Sequence, residues 1–339
     1  MAVVQAKKIL LLFDLPHAPP KNPNEYFQYM KESDWQDEKD IYTALKNTKK
    51  YDVDLIGIHD SISPLVEKIH TNRPDVVFSM AESFRGERDL APHIVSLLEL
   101  LEIKYTGASP ESLVLCRNKG LTKKILNYHN IPTPRFLIAS EMKPTDLDNF
   151  IFPAIVKPLD LEASEGISGK SVVHNSSSCR ARIEKLRIKF KTDVIIEEFI
   201  PGKDIYVGVI DGRESITLPP RELSFSKAKQ PHLLFATYRA KWDEKYRKKW
   251  GIASKPAKDV SPELAGKISA MCKRVFKLFS LKGYARIDLR ISPHGQIFFL
   301  EANPNPAINK KDEFAMSAKD AGINYSNLVE RIVSLSLKS

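Results

Sequence analysis

The chain has 339 residues, 42% of them hydrophobic and 28% charged, and carries a net charge of +10. That length exceeds one ordinary core and suits two or three packed subdomains, with the composition of a globular protein. No apolar run approaches the ~20 residues a membrane helix needs, and Cys116, Cys179 and Cys272 are too scattered for a disulfide framework or a zinc site.

Ile9 to Phe13 is apolar and stops at Asp14, which reads as a buried parallel strand and not a leader peptide. A cytoplasmic protein is the expectation. Strands are expected at Lys8–Phe13, Asp52–Ile58 and Val76–Ser79, with helices at Asp37–Asn47, Ser63–His70 and Pro92–Leu101 between and after them. Tyr105-Thr106-Gly107 ends a further short strand. This alternation predicts an α/β domain over residues 1–117 with an open, mostly parallel sheet.

A helix from Lys119 to His129 leads into a small α+β unit, 118–205. It is broken by Ile131-Pro-Thr-Pro134 and contains the strand Phe152–Pro158, a loop with two glycines and the strand Val194–Ile200. From 206 to 339 the expectation is two strands around Asp211-Gly212 and a long polar segment to Pro256. A helix at Pro262–Phe279, two more strands and two closing helices follow.

Those last strands carry the strongest signal: Arg286-Ile-Asp288, then Phe298-Phe-Leu-Glu301-Ala-Asn303-Pro-Asn-Pro306. Asp288, Glu301 and Asn303 offer only oxygen donors, the ligand class of Mg²⁺. Side chains alternate along a strand, so Arg286 shares a face with Asp288, and Glu301 with Asn303. A hard cation beside an arginine suggests phosphoryl transfer. With these motifs the chain resembles the ATP-grasp superfamily, in its D-alanine–D-alanine ligase branch, from about Val76 to the C-terminus.

The resemblance implies an ATP-grasp fold, ATP as a substrate and Mg²⁺ (or Mn²⁺) on Asp288, Glu301 and Asn303. It implies that Lys157, after Ile155-Val156, contacts the α- and β-phosphates and that Lys119, after Asn118, reaches the α-phosphate, with Ser164 and Gly166 in the covering loop. Glu197, Phe199 and Ile200 match the adenine-binding hinge, and Asp204 the position that holds the ribose. Ile155, Phe235 and Leu300 would sandwich the base. Lys241, in Tyr238-Arg-Ala-Lys-Trp242, would clamp the γ-phosphate. Arg286 and the Ala307 N–H would stabilise charge on the reacting acyl group.

The substrate half departs from that branch. Its Gly-Gly-x-Ser-x-Glu turn is here Phe13-Asp14-Leu15-Pro16-His17, and its loop serine and mobile-loop tyrosine are Ala163 and Trp242, so the closing triad is absent. The positions that hold the second substrate's carboxylate are Asp312 and Glu313. The expected activity is an ADP-forming ligation of a small-molecule acid to an amine through an acyl phosphate, with a possible homodimer. A true D-alanine–D-alanine ligase and a non-catalytic ATP-binding protein are the alternatives. The +10 charge suits anionic substrates about as well as nucleic acid, for which no binding motif is present.

Overall fold

The computed structural model describes residues 6–20, 25–29, 31, 35–230 and 233–338. The N-terminal unit holds β1 (Lys7–Asp14), α1 (Tyr26–Tyr29), α2 (Gln36–Asn47), β2 (Tyr51–Ile58), α3 (Ser63–Thr71), β3 (Val76–Ser79), α4 (Ala91–Leu100) and α5 (Pro110–Arg117). Its strands pair in parallel in the order β2-β1-β3. Ile9 to Phe13 on β1 are all buried, as a strand covered on both faces requires.

The middle unit is α6 (Lys119–Tyr128), β4 (Phe136–Ile138), β5 (Ala154–Pro158), β6 (Val172–Val173), α7 (Ser176–Phe190) and β7 (Val194–Glu198). Its sheet is antiparallel, ordered β4-β7-β5-β6. Asn118 caps α6 by accepting from the Leu121 N–H at 2.9 Å.

The third unit is β8 (Lys203–Ile210), β9 (Ile216–Thr217), β10 (Arg221–Phe225), α8 (Tyr238–Trp242), α9 (Glu244–Trp250), β11 (Ile252–Pro256), α10 (Pro262–Leu278), β12 (Tyr284–Ile291) and β13 (Ile297–Pro304). The sheet runs β11-β10-β8-β12-β13, with β9 paired to β8. Because β8 begins at Lys203, a boundary at 205/206 cuts through a strand.

The last helices, α11 (Glu313–Asp320) and α12 (Tyr325–Lys338), do not merely close the third unit. Leu328, Val329, Ile332 and Val333 of α12 share one core with Ile9, Leu11, Val53 and Val76 of the N-terminal sheet. An apolar stripe on α12 therefore ties the chain's end to its beginning. A second tie is at Gly107 (φ +93), where the Ala108 N–H donates to Asn305 Oδ1 at 2.8 Å. A Cβ on Gly107 would lie 2.1 Å from that oxygen. The close approach anchors the turn that follows β13.

Candidate active site

β12 and β13 pair antiparallel, which sets Asp288 opposite Glu301 and Arg286 opposite Asn303. The expected faces hold: Arg286 Nε and Nη2 donate to Asp288 Oδ1 and Oδ2 at 2.7 and 2.9 Å. Burial pushes the Asp288 carboxyl up, to about 6, against the pull of Arg286. For Glu301 burial works the same way, but Lys119, Lys241 and Lys157 outweigh it and hold the carboxyl at about 2. Three lysines from three different segments thus converge on one carboxylate. The Asn303 amide Nδ2 is buried without a hydrogen-bond partner. Asp288, Glu301 and the Asn303 amide oxygen form an all-oxygen donor set, which fits a hard divalent cation.

Two cavities meet at this strand pair. The inner one is lined by Ile155, Lys157, Glu197, Phe235, Leu300 and Glu301, among others, and also by Ser164, Phe199, Ile200, Asp204 and Asp288. The outer one, about 620 Å³, is lined by Arg286, Asn303, Ala307, Trp242, Asp312 and Glu313, among others. Lys241 and Tyr206 border both.

Local capping explains why Lys241 stands at the junction. Thr237 caps α8 through the Ala240 N–H at 3.2 Å, and Asp243 caps α9 through the Tyr246 N–H at 2.9 Å. Arg247 Nη1 donates to the Ala240 carbonyl at 2.7 Å. The expected long polar segment to Pro256 thus holds β10, two short capped helices and β11.

The loop after β5 and the segment carrying Lys241 are hydrogen-bonded to each other. Ser164 Oγ donates to the Ala236 carbonyl at 2.8 Å, and the Tyr238 N–H to the Ile167 carbonyl at 3.1 Å. The Trp242 indole N–H donates to the Ala163 carbonyl at 3.2 Å. With the side chains of the closing triad absent, a backbone acceptor at Ala163 and an indole donor at Trp242 connect the same two segments. Ala163 and Ser164 have φ of +52 and +61, conformations disfavoured for non-glycine residues.

Other expected ligand-facing groups already have protein partners. Lys119, only 4% exposed, donates to the Leu159 carbonyl at 3.4 Å and also to the Leu161 carbonyl. It braces the start of the loop and is not in the wall of the inner cavity. The Phe199 N–H donates to the Pro153 carbonyl at 2.9 Å, and the Ile200 carbonyl accepts from Arg290 Nε at 2.9 Å. Asp204 accepts from Arg290 Nη1 at 2.8 Å and from the Ala236 N–H at 2.9 Å.

Glu197 is 1% exposed and forms ion pairs with Lys157 at 2.9 Å and with Lys123 at 3.4 Å. Sequence reasoning missed Lys123 and Arg290. Lys123 lies in the Leu121-Thr-Lys-Lys run that follows Lys119. The available signal was the i, i+3, i+4, i+7 spacing of Lys119, Thr122, Lys123 and Leu126.

Residues 118–334 match the family described as D-ala D-ala ligase C-terminus. This chain belongs to that family. It is 30% identical over 270 residues to the D-alanine--D-alanine ligase of Aquifex aeolicus, covering 77% of this chain and 82% of that one. It is 28% identical to D-alanine--D-alanine ligase A of Bacillus cereus, over 85% and 88% of the two chains. The uncharacterized protein y4sG of Sinorhizobium fredii is also 28% identical, over 77% of this chain and 74% of its own. The fold matches that of the Bacillus anthracis D-alanine--D-alanine ligase complexed with ATP, with a TM-score of 0.72, 21% identity and 98% coverage of both chains. The chain is an ATP-dependent, ADP-forming carbon–nitrogen ligase of the ATP-grasp type, with a parallel-sheet N-terminal domain. No described helix is long and apolar enough to cross a membrane.

Proposed function

We propose that the chain ligates a small-molecule carboxylic acid to an amine through an acyl phosphate. The observation that carries this is the meeting of two cavities at Lys241, between Asp288–Glu301 on one side and Arg286–Asn303 on the other. ATP lies in the inner cavity. Its adenine stacks between Ile155, Phe235 and Leu300, and its amino group faces Glu197. The engaged Phe199 N–H leaves the ring edge to the Ile200 N–H and the Phe199 carbonyl. Asp204 borders the ribose, and Lys157 and Ser164 belong to the phosphate end, with Lys119 acting on it from behind the loop it braces. Asp288, Glu301 and Asn303 would hold Mg²⁺ or Mn²⁺, which supplies charge screening for the polyphosphate.

The acid's carboxylate oxygen attacks the γ-phosphorus, the bond to the bridging oxygen breaks, and ADP leaves. The amine nitrogen then attacks the acyl carbon, phosphate departs, and the nitrogen loses a proton. Arg286 and the Ala307 N–H, both on the outer cavity, take the oxyanion charge of that stage. No side-chain nucleophile is needed, because positioning and electrostatics supply the catalysis. The units proposed are an N-terminal domain to residue 117, a middle subdomain from 118 to Pro201-Gly202, and a C-terminal one from β8 onward. Self-association through the N-terminal domain is part of the same reading and is tested by sedimentation.

The pairing of acid and amine is proposed to differ from two D-alanines. The end of β1 carries Asp14, whose oxygens accept from the Glu82 N–H at 2.9 Å and from Ser83 Oγ. Asp312 and Glu313 stand where a second carboxylate would sit, with Glu313 3.9 Å from Arg286. Nearby carboxylates repel an acceptor's carboxylate and favour an amine that is cationic or lacks one.

The deciding experiment supplies ATP and hydroxylamine with a panel of acids. The expected outcome is a hydroxamate with ADP and phosphate, and transfer of carboxylate ¹⁸O into the phosphate. AMP and pyrophosphate in their place would sink the acyl-phosphate reading.

A further inference from the structure

We propose that Lys123 is a positioning residue for the nucleotide: it holds Glu197 as an oriented anion behind the base, and so makes the inner cavity select an amino purine over an oxo purine. The inference rests on the nucleotide reading above and concerns a residue that reading does not use.

Lys123 lines neither the inner nor the outer cavity. Its side chain is 0% exposed, and its ammonium lies 3.4 Å from Glu197 Oε1, 2.8 Å from Thr133 Oγ1 and 3.5 Å from the Phe299 carbonyl. Thr133 Oγ1 donates to that same carbonyl at 3.2 Å. The group therefore joins α6, the Pro-rich segment after it, β7 and β13. Among the described residues, Lys157 and Lys123 are the side-chain cations within ion-pair distance of Glu197. They differ in access: Lys157 lines the inner cavity, whereas Lys123 is sealed behind Glu197.

That difference matters when a nucleotide binds. Polyphosphate charge draws on Lys157, whose task is then shared. A buried carboxylate without a counter-charge takes up a proton. An ionised carboxylate only accepts hydrogen bonds, whereas a protonated one also donates. Adenine presents an amino donor at C6; guanine presents a carbonyl acceptor there. Keeping Glu197 ionised therefore makes this wall an acceptor that fits one base and leaves the other unpaired, and an unpaired buried polar group is costly. Lys123 is the cation that cannot leave. Burial lowers its ammonium to about 8 in opposition to Glu197. Burial likewise works to raise the Glu197 carboxyl, yet Lys123 and Lys157 hold it below its usual range.

The test measures Kd for ATP and for GTP by calorimetry with Mg²⁺ and no acid or amine. Lys123→Met should reduce the ATP-over-GTP preference by about tenfold or more at about pH 7.5. The double variant Lys123→Met/Glu197→Gln should discriminate no worse than Glu197→Gln alone, since Lys123 acts through Glu197. A folded Lys123→Met protein with the wild-type preference would overturn the proposal, as would equal weakening for both nucleotides. Should that variant fail to fold, Thr133→Val removes the 2.8 Å partner of Lys123 and should lower the preference about threefold; an unchanged ratio there counts against the proposal equally. Wild-type protein that binds neither nucleotide would remove the nucleotide reading itself, a result separate from any behaviour of the variants.

Discussion

At the scale of single residues, the groups proposed to face the phosphates belong to one electrostatic unit. Asp288→Ala, Glu301→Ala and Lys241→Ala should each leave a folded protein, by circular dichroism, whose ADP release falls by about 10²–10³. Turnover near wild type in Asp288→Ala or Glu301→Ala would remove the cation assignment. The outer cavity, proposed to hold the acceptor, offers a gain of function. Asp312→Ser with Glu313→Leu removes two carboxylates near Arg286, and should shift preference toward amines that bear a carboxylate, read as the ratio of kcat/KM values in an acceptor panel. An unchanged profile would show that these positions do not face the acceptor. The clustering of Arg286, Asp288, Glu301 and Asn303 was legible in the sequence because strand alternation fixes their faces. Lys123 and Arg290 were not, because a buried cation is recognisable only by the distant anion it meets. For Lys123 that anion lies on β7; for Arg290 it lies at the start of β8.

At the scale of elements, the parallel strands of the N-terminal sheet were legible because burial on both faces leaves continuous apolar runs. The stretch between β10 and β11 was not. α8 and α9 have 5 and 7 residues, too few for an amphipathic period to show, and they are held by caps at Thr237 and Asp243. Their consequence is the latch between Trp242 and Ala163. Trp242 is 60% exposed, so the indole contributes a hydrogen bond rather than core packing. Trp242→Phe keeps the ring and deletes the donor. It should raise KM for ATP by about three- to tenfold, the value of one such bond, and leave the melting temperature within a degree or two. Nucleotide-dependent quenching of indole fluorescence should largely vanish in the variant, since its remaining tryptophans, Trp35 and Trp250, lie outside the latch. Wild-type KM and quenching would show that the contact carries no closing energy.

At the scale of the whole molecule, the site lies where the N-terminal and C-terminal units share a core, and that seam concentrates negative charge. Asn309 Nδ2 donates to Asp37 at 2.7 Å and to Asp312 at 2.6 Å, so one amide joins two carboxylates from opposite ends of the chain. Asp14, Glu38, Glu82 and Glu313 add to the field, against Arg286, Arg88 and Lys310, the last paired with Asp40 at 3.2 Å. The seam was illegible beforehand, because its partners are some 270 residues apart in sequence. Burial first, then Asp37 and Glu313, raise the Asp312 carboxyl to about 7, and burial with Asp37, Asp14 and Glu82 does the same for Glu38. A carboxyl whose folded pKa exceeds its unfolded value of about 4 keeps its proton longer in the folded state, so stability falls as pH rises from about 4 through about 7. Asp312→Asn and Glu38→Gln remove that loss. Asn at 312 can still accept from Asn309, and the wild-type Asp312 side chain makes no cap bond to α11 for the substitution to break. Each variant should therefore melt higher than wild type at about pH 8, with the gap shrinking toward about pH 5. A cationic acceptor at saturation should narrow the gap at pH 8 by neutralising the wild-type seam. A gap that is constant with pH, or larger in acid, would mean that the seam's charge is already compensated in the folded protein and exerts no pull on an incoming amine.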